Sequence, residues 1–84
     1  MIKATDIAER IYERLNLDGI PCRMFGAEEN DDGTLRPFVI CEGRLVTISV
    51  GAWDDWSKFE ETYATFNKYI LMDKEIRREH IGTA

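Results

Sequence analysis

Apolar residues recur along this chain with more than one rhythm, and the changes of rhythm divide it into elements. From Thr5 to Leu17, Ile7, Ala8, Ile11, Tyr12 and Leu15 follow the i, i+4, i+8 spacing of one helical face. Thr5 is expected to cap the free N–H groups and Asp6 to sit favourably in the first turn, with Asn16 and Gly19 as stop signals. Asp6 stands four residues ahead of Arg10, the better orientation for a surface pair.

From Ile20 to Ala27 the pattern shortens to an alternation, with Cys22 and Met24 on one face and Arg23 and Phe25 on the other. Pro21 confines this strand to an early or edge position. Glu28-Glu29-Asn30-Asp31-Asp32-Gly33 is a polar turn or loop. Two further β-rich runs, Leu35 to Glu42 and Arg44 to Val50, meet at Glu42-Gly43, a two-residue hairpin loop in which glycine tolerates the required positive φ. That loop sets Ile40 opposite Leu45, Val39 opposite Val46, Phe38 opposite Thr47 and Pro37 opposite Ile48. One face then carries Leu35, Pro37, Val39, Cys41, Val46, Ile48 and Val50, which suits a core. The other carries Arg36, Phe38, Ile40, Glu42, Leu45, Thr47 and Ser49 and is only half polar. Phe38, Ile40 and Leu45 need a cover, either a helix or something outside the chain.

Between Ala52 and Ile81 there is neither glycine nor proline. Trp56, Phe59, Tyr63, Phe66 and Ile70 recur at alternating steps of three and four, the mark of an amphipathic helix, and this places Trp56 in the core. Ser57 with Glu60 fits a capping box, and Asp54 and Asp55 compete as caps. Asp73 caps a separate short helix through Ile76 and Ile81, or the first helix runs on with a bend near Met72; Gly82 ends it. The expected architecture is α+β over residues 1–84 as a single domain: an N-terminal helix, a three-stranded antiparallel sheet, and a long or broken C-terminal helix packed on the sheet. Helices sharing one face leave Phe38, Ile40 and Leu45 open. Helices on opposite faces close the domain on itself.

At 84 residues the chain hides only about 60–65% of the surface its unfolded form exposes, so its core is small. Hydrophobic residues at 44% and charged residues at 32% exclude a disordered chain. No apolar run approaches the roughly 18 residues of a membrane span. The N-terminus, Met1-Ile2-Lys3-Ala4-Thr5-Asp6, lacks the apolar core of a secretory signal, so a cytoplasmic location is expected. Cys22 and Cys41 fit no zinc or thioredoxin-type spacing. Each lies in a strand pattern beside apolar neighbours and is read as a buried free thiol; a bridge between adjacent strands is conceivable but unusual in a reducing compartment. Net charge is −5, from 16 acidic and 11 basic residues. This argues against nucleic acid as a direct ligand, which needs clustered Lys and Arg, and suits a basic partner.

Catalytic equipment is sparse. His80, the one histidine, follows Arg77-Arg78-Glu79 and is explained by favourable charge at a helix C-terminus. With it as the only base, no Ser-His-Asp or Cys-His set is credible. There is no glycine-rich phosphate loop, dinucleotide fingerprint or metal-spaced cluster. Glu28 to Gly33 imitates the start of a calcium loop, but the bidentate acid position falls on Val39 and strands flank it. The carboxylate pairs Glu28-Glu29, Asp31-Asp32, Asp54-Asp55 and Glu60-Glu61 are sequence neighbours, not groups held apart across a cleft. No catalytic residue, metal or cofactor is therefore expected. A small-molecule reading would need a pocket between helix and sheet served by Tyr12, Tyr63, Arg23 and Arg36.

The acids suit binding better. Glu28, Glu29, Asp31, Asp32, Asp54 and Asp55 form a negative surface if the loop and the start of the last helix share a side, with Trp53 or Trp56 and Phe38 as desolvated anchors. The expected function is a non-enzymatic, acidic protein-binding domain whose partner is a larger protein with a basic surface. Its sharpest form is an inhibitor seated in a basic nucleic-acid-binding groove. Size and acidity, but no motif, are shared with phage-encoded inhibitors of restriction, CRISPR or DNA-repair machinery. The alternative is a self-associating structural or adaptor subunit that uses the half-apolar sheet face, or a free strand edge, to form a homodimer.

Overall fold

Ile7, Ala8, Ile11 and Leu15 line the buried side of a first helix, α1 (Ala4–Leu17). The computed structural model describes residues 1–82, with side chains described for residues 1–72. Thr5 lies inside α1 and does not cap it: Lys3 holds the cap position without a side-chain bond, and its carbonyl accepts the Asp6 and Ile7 N–H groups at 3.0 and 3.2 Å. At the other end Gly19 turns the chain with φ +84°, and the Ile20 N–H returns to the Leu15 carbonyl at 2.9 Å. Asn16, expected as a stop signal, has a different task. Its Oδ1 accepts the Cys22 N–H at 2.9 Å and so ties the helix end to the first strand.

Three antiparallel strands follow, β1 (Cys22–Glu29), β2 (Leu35–Cys41) and β3 (Arg44–Thr47), in the order β1-β2-β3. The Glu42-Gly43 loop carries positive φ at both residues, 53° and 81°, and fixes the expected β2–β3 register of Ile40 with Leu45, Val39 with Val46 and Phe38 with Thr47. Pro37 has no N–H to offer Ile48, so β3 stops at Thr47, whose hydroxyl donates to the Pro37 carbonyl at 2.8 Å. Pairing resumes one bridge further on, at Leu35 and Val50.

β1 departs from the expected alternation. Its register with β2 shifts between Cys22 and Met24, leaving Arg23 with no residue opposite. An extra residue of this kind reverses the side-chain alternation beyond it. Met24 therefore faces away from Cys22, on the side of Ile40, while Cys22 joins Phe25 on the helix-covered side. This places Cys22 directly across from Cys41 with Cα atoms 4.3 Å apart, and the two form a disulfide. The expectation of two free thiols is corrected by the geometry: adjacent strands bring the pair into register, which spacing in sequence does not reveal.

The second helix, α2 (Phe59–Gly82), is one continuous helix without a break at Asp73. The side chains of Ile76, His80 and Ile81 lie outside the described residues. Its start does not use the Ser57–Glu60 box. Asp55 Oδ1 instead accepts the Ser57 N–H at 2.9 Å, and Glu60 reaches across to Arg14. Phe59, Tyr63, Phe66 and Ile70 join Ile7, Ile11 and Leu15 of α1 and Leu35, Val39 and Cys41 of β2 in one apolar cluster. Tyr12 and Phe25 extend it, with ring centroids 5.1 Å apart. Both helices therefore cover the same face of the sheet. No described helix is long and apolar enough to cross a membrane.

The disulfide closes a loop with a sequence separation of 19, which by loop entropy stabilises the fold by about 3 kcal/mol. Reduction, or the Cys22→Ser/Cys41→Ser double variant, is expected to lower the melting temperature by roughly 12–25 °C in thermal unfolding followed by circular dichroism. An unchanged melting curve under strong reductant would contradict the bridge.

Candidate functional site

With both helices on one side, the other face of the sheet has no cover among the described residues. β1 contributes Met24, Gly26 and Glu28; β2 contributes Arg36, Phe38 and Ile40; β3 contributes Leu45 and Thr47. Met24 is 52% and Leu45 58% exposed, and Phe38 and Ile40 are half-buried. Phe38 owes its partial cover to Gly26: a Cβ there would sit 2.5 Å from Phe38 Cζ, so the ring lies flat over the bare backbone. Glu28, Arg36, Phe38, Leu45 and Thr47 line a hollow of about 120 Å³ in this face. That is below the roughly 300 Å³ of ordinary small-molecule sites and suits a protruding side chain better. Glu28 and Arg36 stand opposite each other and close one end of the patch with balanced charge.

Exposed acids lie at the end of β1, in the turn that follows it and ahead of α2. Glu28 and Glu29, expected in the loop, instead end β1, paired with Arg36 and Leu35 because the ladder runs on to the turn; Asp31 and Asp32 follow in that turn, and all four are exposed. Val50 is paired with Leu35 at the same end of the sheet, and Asp54 and Asp55, also exposed, follow a few residues on. Two of these acids already have local work. Asp32 Oδ1 accepts the Thr34 hydroxyl at 2.6 Å and the Thr34 N–H at 3.0 Å, which holds the turn and lowers the Asp32 carboxyl below its usual range. Asp55 is lowered in the same way by its hydrogen bonds from Ser57.

The burial of the two tryptophans departs from expectation. Trp53, expected as an exposed anchor, is 3% exposed and belongs to the core, where its carbonyl also accepts the Ile2 N–H at 3.0 Å. Trp56, expected in the core, is half-buried. It stands before the first residue of α2, so the helical period does not extend to it. Its ring packs edge-on to Trp53 and Phe59, with centroids 6.1 and 6.0 Å away, and its face takes the Arg10 guanidinium at 4.3 Å.

A polar cluster seals the helix–helix seam. Arg14 Nη1 donates to Glu60 Oε1 at 2.8 Å, Arg14 Nε lies 3.8 Å from Asp18 Oδ2, and the Arg14 guanidinium covers the Tyr63 ring at 4.8 Å. The Tyr63 hydroxyl donates to the Asp18 carboxylate. Burial first, and then that bond to a negative acceptor, push the Tyr63 hydroxyl up to about 12. This cluster also answers the small-molecule reading. Tyr63 is committed to the seam, Tyr12 packs on Phe25, Arg23 is exposed at the bulge and Arg36 lies on the opposite face, so the four do not converge. A hollow of about 410 Å³ along Ala64, Asn67, Lys68, Leu71 and Met72 is lined by α2 alone.

Met24 is the member of the open face that sequence reasoning missed. Strict alternation put it beside Cys22, and only the Cys22–Cys41 pairing reveals the extra residue at Arg23. No known protein family, curated protein or solved structure matches the chain.

Removal of Trp53 by Trp53→Ala is expected to cost roughly 3–5 kcal/mol in chemical denaturation, because the ring is enclosed. Trp56→Ala should cost only about 1–2 kcal/mol, from ring packing and the Arg10 contact. The reverse ranking would overturn this assignment. Tyr63 has a folded pKa raised above its ordinary value of 10.0. Its contribution is therefore intact below about pH 10 and is lost as pH rises through about 12. Denaturation midpoints taken between those limits should fall more steeply for wild type than for Tyr63→Phe.

Proposed function

We propose that this chain is a non-enzymatic protein-binding domain whose contact surface is the uncovered face of its sheet. One observation carries the reading: both helices pack on the same face, so Met24, Phe38, Ile40 and Leu45 lie outside the core cluster. Apolar side chains left together on a small domain's surface mark an interaction site more often than chance exposure. The exposed acids Glu28, Glu29, Asp31, Asp32, Asp54 and Asp55 favour a larger partner with a basic surface. An inhibitor lodged in a basic nucleic-acid-binding groove is the sharpest form of this reading. Phe38 remains in the contact set, Met24 and Leu45 join it, and Trp53 leaves it. The Cys22–Cys41 bridge weighs toward an oxidising compartment and against the cytoplasm expected from the N-terminus.

Affinity capture from cells with wild type, Leu45→Glu and an Asp31→Lys/Asp54→Lys variant tests this, with folding checked by circular dichroism. Leu45→Glu is expected to lose the captured partner outright. The charge variant should keep it at low salt with reduced affinity, and high salt should weaken the wild-type complex through screening. A partner retained by Leu45→Glu and indifferent to salt would overturn the proposal.

A further inference from the structure

We propose that two copies of this chain join along β1, antiparallel and centred on Gly26, so that their sheets become one continuous sheet. The inference does not rest on the face-binding reading, because it uses the edge of the strand and leaves the open face free. β1 is an outer strand of eight residues with no proline within it. Its backbone orientation follows from the ladder. Leu35 and Val50 exchange both hydrogen bonds at 2.8 Å, and in antiparallel pairs the main-chain groups of successive residues point alternately to the two sides. Leu35, Pro37, Val39 and Cys41 thus turn toward β3, and Arg36, Phe38 and Ile40 toward β1. On β1 their partners Glu28, Gly26 and Met24 are thereby occupied, while Phe25, Ala27 and Glu29 turn their N–H and C=O groups outward. Asn16 covers this edge only at Cys22.

Charge then selects the occupant and the register. Arg23 and Glu29 stand near opposite ends of β1, both exposed, and neither forms an ion pair among the described side chains. Glu28, by contrast, already faces Arg36 of its own sheet. A second β1 placed antiparallel about Gly26 puts Phe25 across from Ala27 of the other copy, both with outward-turned main-chain groups. The same register puts Arg23 across from Glu29 of the other copy, and two-fold symmetry makes each contact twice. Outer strands are normally blunted by proline or by inward-pointing charge. Here the charges sit near the ends in an arrangement that complements its own reverse. The two copies of α1 then run antiparallel on the shared helix-covered face, and the two open faces form one surface of double width.

Sedimentation equilibrium over a concentration series, on wild type, Arg23→Glu, Glu29→Arg, the double swap and an equimolar mixture of the two single variants, tests the pairing. Wild type is expected to dimerise with concentration. Each single reversal puts like charges across both ends and should weaken dimerisation on the order of tenfold or more. The double swap should recover it. The mixture should recover it too, since a chain with two acids then meets a chain with two bases, and this recovery also shows that both single variants are folded. Three results would overturn the proposal: a wild type that stays monomeric at high concentration, a dimer insensitive to the single reversals, or a mixture no better than its components. A dimer abolished by Leu45→Glu while the charge variants leave it intact would mean face-to-face contact, and would overturn it equally.

Discussion

Ile7, Ile11 and Leu15 from α1, Leu35, Val39 and Cys41 from β2, and Phe59, Phe66 and Ile70 from α2 share one apolar layer, and both helical periods and the strand period have to point into it. A chain of 84 residues has apolar material for one such layer and little more. The helices therefore compete for the same side of the sheet, and the other side goes uncovered. That face follows from how the core is built; it does not need a separate explanation. Its exposure of Met24 and Leu45 and its balanced pair Glu28 and Arg36 both follow once the helices have chosen their side.

The bulge at Arg23 is the second determinant. It returns Cys22 to the covered side, where Cys41 waits across the ladder, and it delivers Met24 to the open side. It also leaves Arg23 unmatched within its own sheet. One inserted residue thus supplies the covalent tie, an apolar member of the contact face and the charge that distinguishes one end of β1 from the other.

The legible parts of the fold were those fixed by short-range chemistry. The β2–β3 register could be read because the Glu42-Gly43 loop pins it, and α1 because its apolar period is unbroken. Phe59, Tyr63, Phe66 and Ile70 were legible as a buried stripe for the same reason. Features that depend on where an element starts, or on one residue of slippage, were not legible. The helical period counted backward from Phe59 reaches Trp56, yet α2 begins after it, so Trp53 and not Trp56 is the enclosed ring. Alternation counted along β1 cannot see the bulge, and so misplaced Met24 and missed the disulfide. The open face itself was half legible: Phe38, Ile40 and Leu45 could be named as needing cover, but whether the helices would supply it is a tertiary question. The acidic residues were legible as composition, while the tasks of Asp32 and Asp55 in holding local turns required coordinates.

The most direct test of this account is the effect of a soluble paramagnetic agent on the methyl signals of the dilute protein. Fast relaxation is expected at Met24 and Leu45, with Val39, Ile11 and Leu15 strongly protected. Protection of Met24 and Leu45 equal to that of Val39 would mean that the second face is covered by the chain itself, and would contradict the one-sided packing on which the account stands.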